Sequence, residues 1–206
     1  MRLYNAAAAM AFAAACLSTP AIASDKSELL HDANRTVDNL KRDPAFAQAA
    51  RMIDGARAVY IVPKLVKGGF IFGAEGGDGV LLVRQGSGWS TPKFYGMGSA
   101  SFGLQIGLEQ AELVFIINSE RALRGIEKGN VKLGAGAGLT VVNLSSGAEG
   151  ATTTHGGDIV VWTSGSGAYA GLTFNGSVIK ADTEENAVPA TGPEAETLRH
   201  DLSSVL

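Results

Sequence analysis

The stretch from Val59 to Gly107 constrains the fold most, because short apolar runs alternate there with glycine-rich segments. The runs Val59–Val62, Phe70–Phe72 and Val80–Val83 have the length and composition of β-strands. The segments between them are too short for the crossover that a parallel pair requires. The sequence therefore predicts three neighbouring antiparallel strands, with the segment GAEGGDG before Val80 predicted as a glycine-rich turn.

Glycine divides the chain into two parts, since all 27 glycines lie at Gly55 or later in the 206 residues. The prediction is an α+β protein with N-terminal helices in 24–55, followed by a glycine-rich antiparallel β-barrel or sandwich in 56–186 that contains one short inserted helix. Residues 187–206 are predicted as an acidic C-terminal tail or helix. Whether this tail is frayed or docked stays open at this point.

Periodicity places the remaining elements. Asp43-Pro44 is typical of a helix start, and Asn118 or Ser119 is expected to cap the short inserted helix. The first helix has an apolar stripe that predicts packing on the β body. Ser145–Gly157 is predicted as a long hairpin loop. The stripe of the first helix is formed by Leu29, Leu30, Ala33, Val37 and Leu40.

Residues 1–23 are predicted to be a secretion signal. Arg2 supplies the positive end, an apolar segment follows, and Ala21-Ile22-Ala23 is typical of a cleavage site. Cys16, the sole cysteine, follows three alanines that loosely resemble a bacterial lipobox, so lipidation of Cys16 is the alternative. We therefore expect a periplasmic or secreted protein, or alternatively a lipoprotein anchored through Cys16.

The sequence contains no recognisable catalytic, metal or cofactor motif, so we predict a protein that is not an enzyme and needs no cofactor. His31, His155 and His200 lack the spacing of metal ligands. Glu75 and Asp78 offer too few carboxylates for a tight calcium site. The formal charge of −3, without a basic block, argues against nucleic-acid binding.

A series of motifs in one order resembles the SYLF domain family. The motifs begin with P-K-x-x-K-G-G-F at Pro63 and G-x-G-V at Gly77, followed by a strand that ends in Arg84. Gly88-Trp89-Ser90-Thr91-Pro92 and G-x-Q-I-G come next, and G-x-x-x-G-L-x-x-x-G precedes Asn186 near the end. The resemblance covers roughly 49–186. It implies lipid binding, and some eukaryotic members also bind actin.

Four basic residues are the predicted lipid-binding site. Lys64 and Lys67 flank a bend beside two glycines, Arg84 ends a strand, and Lys93 lies close behind Trp89. If the strands form adjacent hairpins, these cations share one end of the sheet and contact a lipid phosphate through charge-assisted hydrogen bonds. The alternative is four unrelated surface charges. Trp89 is predicted to lie in the core. For Tyr95 two positions stay open, the core and a lipid interface.

The functional prediction is therefore non-enzymatic binding of anionic phospholipids or of a membrane surface in the bacterial cell envelope. The alternative is an envelope scaffold that binds a protein partner without specific lipid recognition. Actin binding rests on family analogy alone, and the bacterial-type signal argues against it as the native role.

Overall fold

The computed structural model describes residues 26–69, 72–102, 107–129, 133, 141–144, 157–164 and 177–204. Within these ranges the helices are α1 (Lys26–Arg42), α2 (Phe46–Gly55), α3 (Glu120–Glu127) and α4 (Pro193–Ser203), with a short 3₁₀ turn at Glu185–Ala187. The strands are β1 (Ala58–Gly69), β2 (Phe72–Gln85), β3 (Gly88–Trp89), β4 (Lys93–Phe102), β5 (Gly107–Ile117), β6 (Val141–Leu144), β7 (Ile159–Thr163) and β8 (Val178–Ala181).

The described strands form one sheet in the order β6-β7-β5-β1-β2-β4-β8, with β3 paired to β2. Pairing is antiparallel except between β6 and β7, which run parallel. The predicted α+β class is confirmed. No pairing joins β6 to β8 in this part of the chain, so the sheet is open and sandwich-like and does not close into a barrel.

Both faces of the central strands are buried, which explains why their sequences are continuous apolar runs. Val59 and Ile61 of β1 face α1, α2 and α4, whereas Tyr60 and Val62 face α3 and the end strands. Successive residues of a strand point to opposite faces, so one uninterrupted run fills both cores. The helix-covered core also contains Trp89, as predicted from the sequence.

The terminal helices are docked on the sheet. The predicted apolar stripe of α1 is buried, apart from the half-buried Leu29, and Leu198 and Leu202 of α4 are buried beside it. The Asn34 side chain donates to the Glu194 carbonyl at 3.0 Å, and Lys41 lies 3.2 Å from an Asp201 carboxylate oxygen. The question left open for the C-terminal tail is therefore answered: residues 193–203 form a docked helix. None of the described helices is long and apolar enough to cross a membrane.

Two local predictions are wrong. The segment GAEGGDG is not a turn but part of β2, which runs from Phe72 to Gln85 and pairs with β1 and β4. Phe72 and Val80–Val83 therefore belong to one strand and not to the two that were predicted, while Phe70 and Ile71 lie outside the described residues.

Ser145–Gly157, predicted as a long hairpin loop, lies outside the described residues except for Gly157. The strands β6 and β7, on either side of it, run parallel, a pairing that the sequence did not predict. The predicted cap is confirmed for α3, where the Ser119 hydroxyl accepts from the Ala122 N–H at 3.2 Å.

Candidate functional site

The sheet register separates the four predicted cations. Lys67 pairs with Glu75 on β2, whereas Lys93 pairs with Leu81 and Arg84 lies three residues further along. At about 3.3 Å per residue, the nine residues from Glu75 to Arg84 span about 30 Å. Lys64 and Lys67 therefore lie toward the β1–β2 hairpin, while Arg84 and Lys93 lie toward the opposite end. The expected convergence at one end of the sheet is wrong.

Arg84 makes specific contacts within the fold. Its Nη2 donates to the carbonyl oxygens of Ile53 and Asp54, at 2.6 and 2.9 Å, in the last turn of α2. Its guanidinium also lies 3.9 Å from the centroid of the Trp89 ring. Desolvation of this position lowers the pKa of Arg84, and the nearby Asp54 carboxylate opposes that shift. A residue that the motif marked as a lipid ligand thus also holds α2 against the sheet.

Lys64 and Lys93 are exposed, and the described residues place no carboxylate within 4.0 Å of either. Lys64 lies where the register shifts between Val62 and Leu65, so a bulge positions it. Lys67 is in register with Glu75 on one side and Glu109 on the other. Cys16, the candidate lipidation residue, lies outside the described residues.

Glu75 forms hydrogen bonds with polar side chains on neighbouring parts of the fold. The Glu75 carboxylate accepts from the hydroxyls of Ser99 at 2.7 Å and of Ser177 at 3.0 Å. Ser177 is fully buried, so this carboxylate satisfies a hydroxyl that water does not reach. The Glu75 carboxylate therefore has a structural role, because it links two hydroxyl groups within the fold. The described residues contain no group of three or more side chains suited to hold a metal ion.

Sequence reasoning missed Arg57. This residue precedes β1 and lies directly opposite Arg84, whose backbone N–H donates to the Arg57 carbonyl at 2.8 Å. Both arginines line a cleft of about 360 Å³, together with the end of α2, the turn at Gly86-Ser87 and the end of α4. The cleft brings together residues from three separate parts of the chain, so no local motif could have indicated it.

Comparison with known proteins relates this sheet to a family. Residues 98–188 match the Ysc84 family model, which represents the SYLF domain and is described as "Las17-binding protein actin regulator". The resemblance to the SYLF family is confirmed. The SYLF resemblance read from the sequence begins earlier, near residue 49, and ends close to the same point.

Individual relatives agree with this assignment. The chain is 33% identical to Protein YSC84 of Saccharomyces cerevisiae over 127 residues, which cover 59% of this chain and 27% of the relative. It is 34% identical over 128 residues to SH3 domain-containing YSC84-like protein 1 of Xenopus laevis, covering 61% and 38%. LAS seventeen-binding protein 3 of Saccharomyces cerevisiae is 31% identical over 127 residues, covering 59% and 28%.

The chain thus spans about a quarter to two fifths of the length of these curated relatives. The family is described as binding and regulatory, which fits the prediction of a protein that is not an enzyme. No solved structure matches the chain significantly.

Proposed function

We propose that this SYLF-type chain binds anionic membrane surfaces of the bacterial cell envelope, after removal of residues 1–23. The observation that carries the proposal is the pair of exposed lysines, Lys64 and Lys93, that have no carboxylate partner in the described part of the chain. Exposed cations without partners are available to lipid headgroups. By contrast, Lys26 and Lys41 lie within 4.0 Å of carboxylates.

The separation of these lysines favours distributed attraction over a single headgroup pocket. Each basic residue close to an anionic membrane contributes about 1 kcal/mol, and this contribution falls off within a Debye length. Binding that depends on a few separated lysines is therefore weak and decreases as salt is added. Because α1 buries its apolar stripe against the sheet, the proposed attraction needs no insertion of that helix.

The test is cosedimentation of the full chain with phosphatidylcholine vesicles that contain phosphatidylserine, over a series of salt concentrations. The variant is the double charge reversal Lys64→Glu and Lys93→Glu, at the two exposed lysines that carry the proposal. We expect its binding to fall at least tenfold, since two favourable contributions of about 1 kcal/mol each become unfavourable. Binding of the unmodified chain should weaken steadily with salt.

A matched control changes the net charge equally at Arg51 and Lys128, which are exposed on α2 and just after α3. If the double reversal Arg51→Glu and Lys128→Glu weakens binding as much as the first variant, net charge alone governs attraction and Lys64 and Lys93 are not the site. Vesicle binding that ignores both salt and phosphatidylserine would contradict the proposed function itself.

A second candidate function is attachment to a protein partner. The observation that favours it is the description of the matched family as a Las17-binding actin regulator, together with a relative named LAS seventeen-binding protein 3. On this hypothesis the chain is an envelope scaffold and lipid contact is incidental. Vesicle binding that is insensitive to headgroup charge, together with a stable complex in a pull-down from envelope extract, would favour the scaffold.

A further inference from the structure

Helix α4 lies in a groove between α1 and β3. Asn34 and Lys41 of α1 form one wall and Trp89 of β3 forms the other, and we call this surface the α4 groove. Lys41 lies 3.2 Å from an Asp201 carboxylate oxygen, and the Trp89 carbonyl accepts from the Arg199 Nε at 2.9 Å. The apolar side chains that α4 buries are Ala195, Leu198 and Leu202. The groove therefore holds its occupant by an apolar stripe, a carboxylate and a cation.

Helix α4 leaves two polar groups of the groove walls unused. The Asn34 side chain donates to the Glu194 carbonyl at 3.0 Å, but its Oδ1 is buried and accepts no hydrogen bond among the described residues. The indole Nε1 of Trp89 is also buried, and no described group accepts from it. A buried polar group without a hydrogen bond costs free energy. A helix that offers partners to these groups would therefore bind the groove more tightly than α4 does.

The attachment of α4 allows it to leave the groove alone. It has 11 residues, and isolated helices shorter than about 12–15 residues are only marginally stable in water. It begins after Gly192, which has a φ of +120° and no side chain to cap the helix. Upstream, Asn186 is fixed to β4 by hydrogen bonds of 2.7 and 2.8 Å to the Phe94 backbone. Residues 187–192 between them are exposed apart from Ala190, so α4 can undock while the sheet stays paired.

We propose that the α4 groove is a docking site for an amphipathic helix of a protein partner, and that α4 is the displaceable occupant that closes it. The partner is described by the chemistry of α4, in which Ala195, Leu198 and Leu202 lie on one face and Asp201 lies beside Lys41. Grooves recognise amphipathic helices through apolar side chains at such spacings.

The α4 groove gives a surface to the second candidate function, attachment to a protein partner. Neither Lys64 nor Lys93 is part of this groove. Vesicle binding and helix binding are therefore separate properties of the chain, and failure of one leaves the other standing.

The probe is a fluorescein-labelled peptide with the sequence of residues 190–204, and fluorescence anisotropy measures its binding to the full chain. A helix on a short linker has an effective concentration on the order of millimolar at its own groove, so the unmodified chain should bind the peptide weakly. The double variant Leu198→Ala and Leu202→Ala loses apolar contacts of α4 and should bind the peptide about tenfold more tightly.

The matched control truncates two buried side chains of α3, on the other face of the sheet, by the double substitution Leu123→Ala and Ile126→Ala. Because α3 does not cover the α4 groove, this variant should bind the peptide as weakly as the unmodified chain does. Thermal unfolding of each variant verifies that it folds.

A charge exchange tests where the peptide binds. In the background of the double variant of α4, Lys41→Glu should weaken peptide binding about fivefold, since an attraction to Asp201 becomes a repulsion. A peptide that carries Asp201→Lys should restore the affinity for the Lys41→Glu chain. If it does not, the peptide binds outside the α4 groove and the proposal is wrong.

Amide hydrogen exchange of the unmodified chain is an independent measurement, because it needs no substitution. The interior amides of α4 should exchange through local opening, about tenfold faster than those of β1, which is buried on both faces. Equal protection of α4 and β1 would mean that α4 undocks only when the whole chain unfolds, which overturns the proposal.

Three further outcomes overturn it. A folded Leu198→Ala and Leu202→Ala variant that does not bind the peptide shows that the groove takes no helix from outside. Equal binding by the α3 control shows that the peptide binds any loosened chain. A dimer of the unmodified chain, detected by light scattering, that is lost in the α4 variant makes α4 of a second copy the occupant in place of a partner protein.

Discussion

The two halves of the β1–β2 pair differ, although the same two strands form both. In the first half, Ala58–Ile61 pairs with Val80–Val83, and apolar side chains fill both cores. In the second half, Val66–Gly69 pairs with Gly73–Gly76, where glycines and charged residues predominate. The register shift after Ile61 separates them. The comparison shows that one strand can change from an apolar core element to a polar, glycine-rich element at a single bulge.

The largest effect is expected at Gly79, which joins the two halves. A Cβ at this position would collide with the Ile61 carbonyl oxygen and lie 2.7 Å from the Tyr60 ring. Tyr60 is fully buried and donates its hydroxyl to the Tyr95 carbonyl at 3.1 Å, so its ring has no room to move. Gly79→Ala should therefore reduce the free energy of unfolding by about 3 kcal/mol, measured by urea denaturation.

The matched control for that substitution is Gly76→Ala in the second half. Its Cβ would lie 3.6 Å from the Met97 carbonyl oxygen, which is an ordinary contact. The free energy of unfolding should change by less than about 1 kcal/mol. If Gly79→Ala and Gly76→Ala lower the free energy of unfolding equally, close packing against Tyr60 does not distinguish the junction from the second half.

A smaller effect is expected at Arg84, at the far end of the first half. Arg84→Met keeps an apolar stem but leaves the carbonyls of Ile53 and Asp54 without their side-chain donor and removes the cation from the Trp89 ring. We expect a loss of about 2 kcal/mol in the free energy of unfolding. Urea denaturation followed by tryptophan fluorescence measures it.

Arg121→Met is the control, because Arg121 forms an exposed ion pair with Asp158 and such pairs contribute little. Its effect should stay within about 0.5 kcal/mol. If Arg84→Met lowers the free energy of unfolding as little as Arg121→Met does, the Arg84 guanidinium does not hold α2 against the sheet.

The smallest effect concerns Asp78, next to Gly79 at the junction of the two halves. Burial, with a further contribution from Asp182, raises the pKa of Asp78 above its ordinary value of 3.8. A raised carboxyl pKa means that the folded state retains the proton more strongly than the unfolded state does. Stability from this group is therefore complete below pH 3.8 and is lost as the pH rises through the raised pKa.

Asp78→Asn should remove that loss and raise the free energy of unfolding at neutral pH, by less than about 1 kcal/mol because solvent screens the group. Urea denaturation at several pH values measures the difference, which should disappear in acid. The control Asp32→Asn, on α1, should lose stability with rising pH as the unmodified chain does. A constant difference between Asp78→Asn and the unmodified chain at every pH would show that the carboxylate charge is not its cause.

Sequence patterns predicted those features that depend on neighbouring residues. Continuous runs such as Val80–Val83 indicated strands, and Ser119 was expected as a helix cap because its side chain reaches only the next turn. The glycine segment before Val80 was misread as a turn, since glycine is usual in turns and its use for close approach to Tyr60 depends on a distant strand. The parallel pairing of β6 with β7 was missed for the same reason.

The same distinction between local and long-range features applies to the candidate sites. The sequence by itself determined the apolar cores of the central strands, the apolar stripe of α1 and the SYLF resemblance, because periodicity and ordered motifs are properties of consecutive residues. Only the tertiary structure decided which cations share a surface: it separated Lys67 from Arg84 and placed Arg57 beside Arg84. Register and helix docking are set by packing between residues far apart in the chain, and no local pattern encodes that packing.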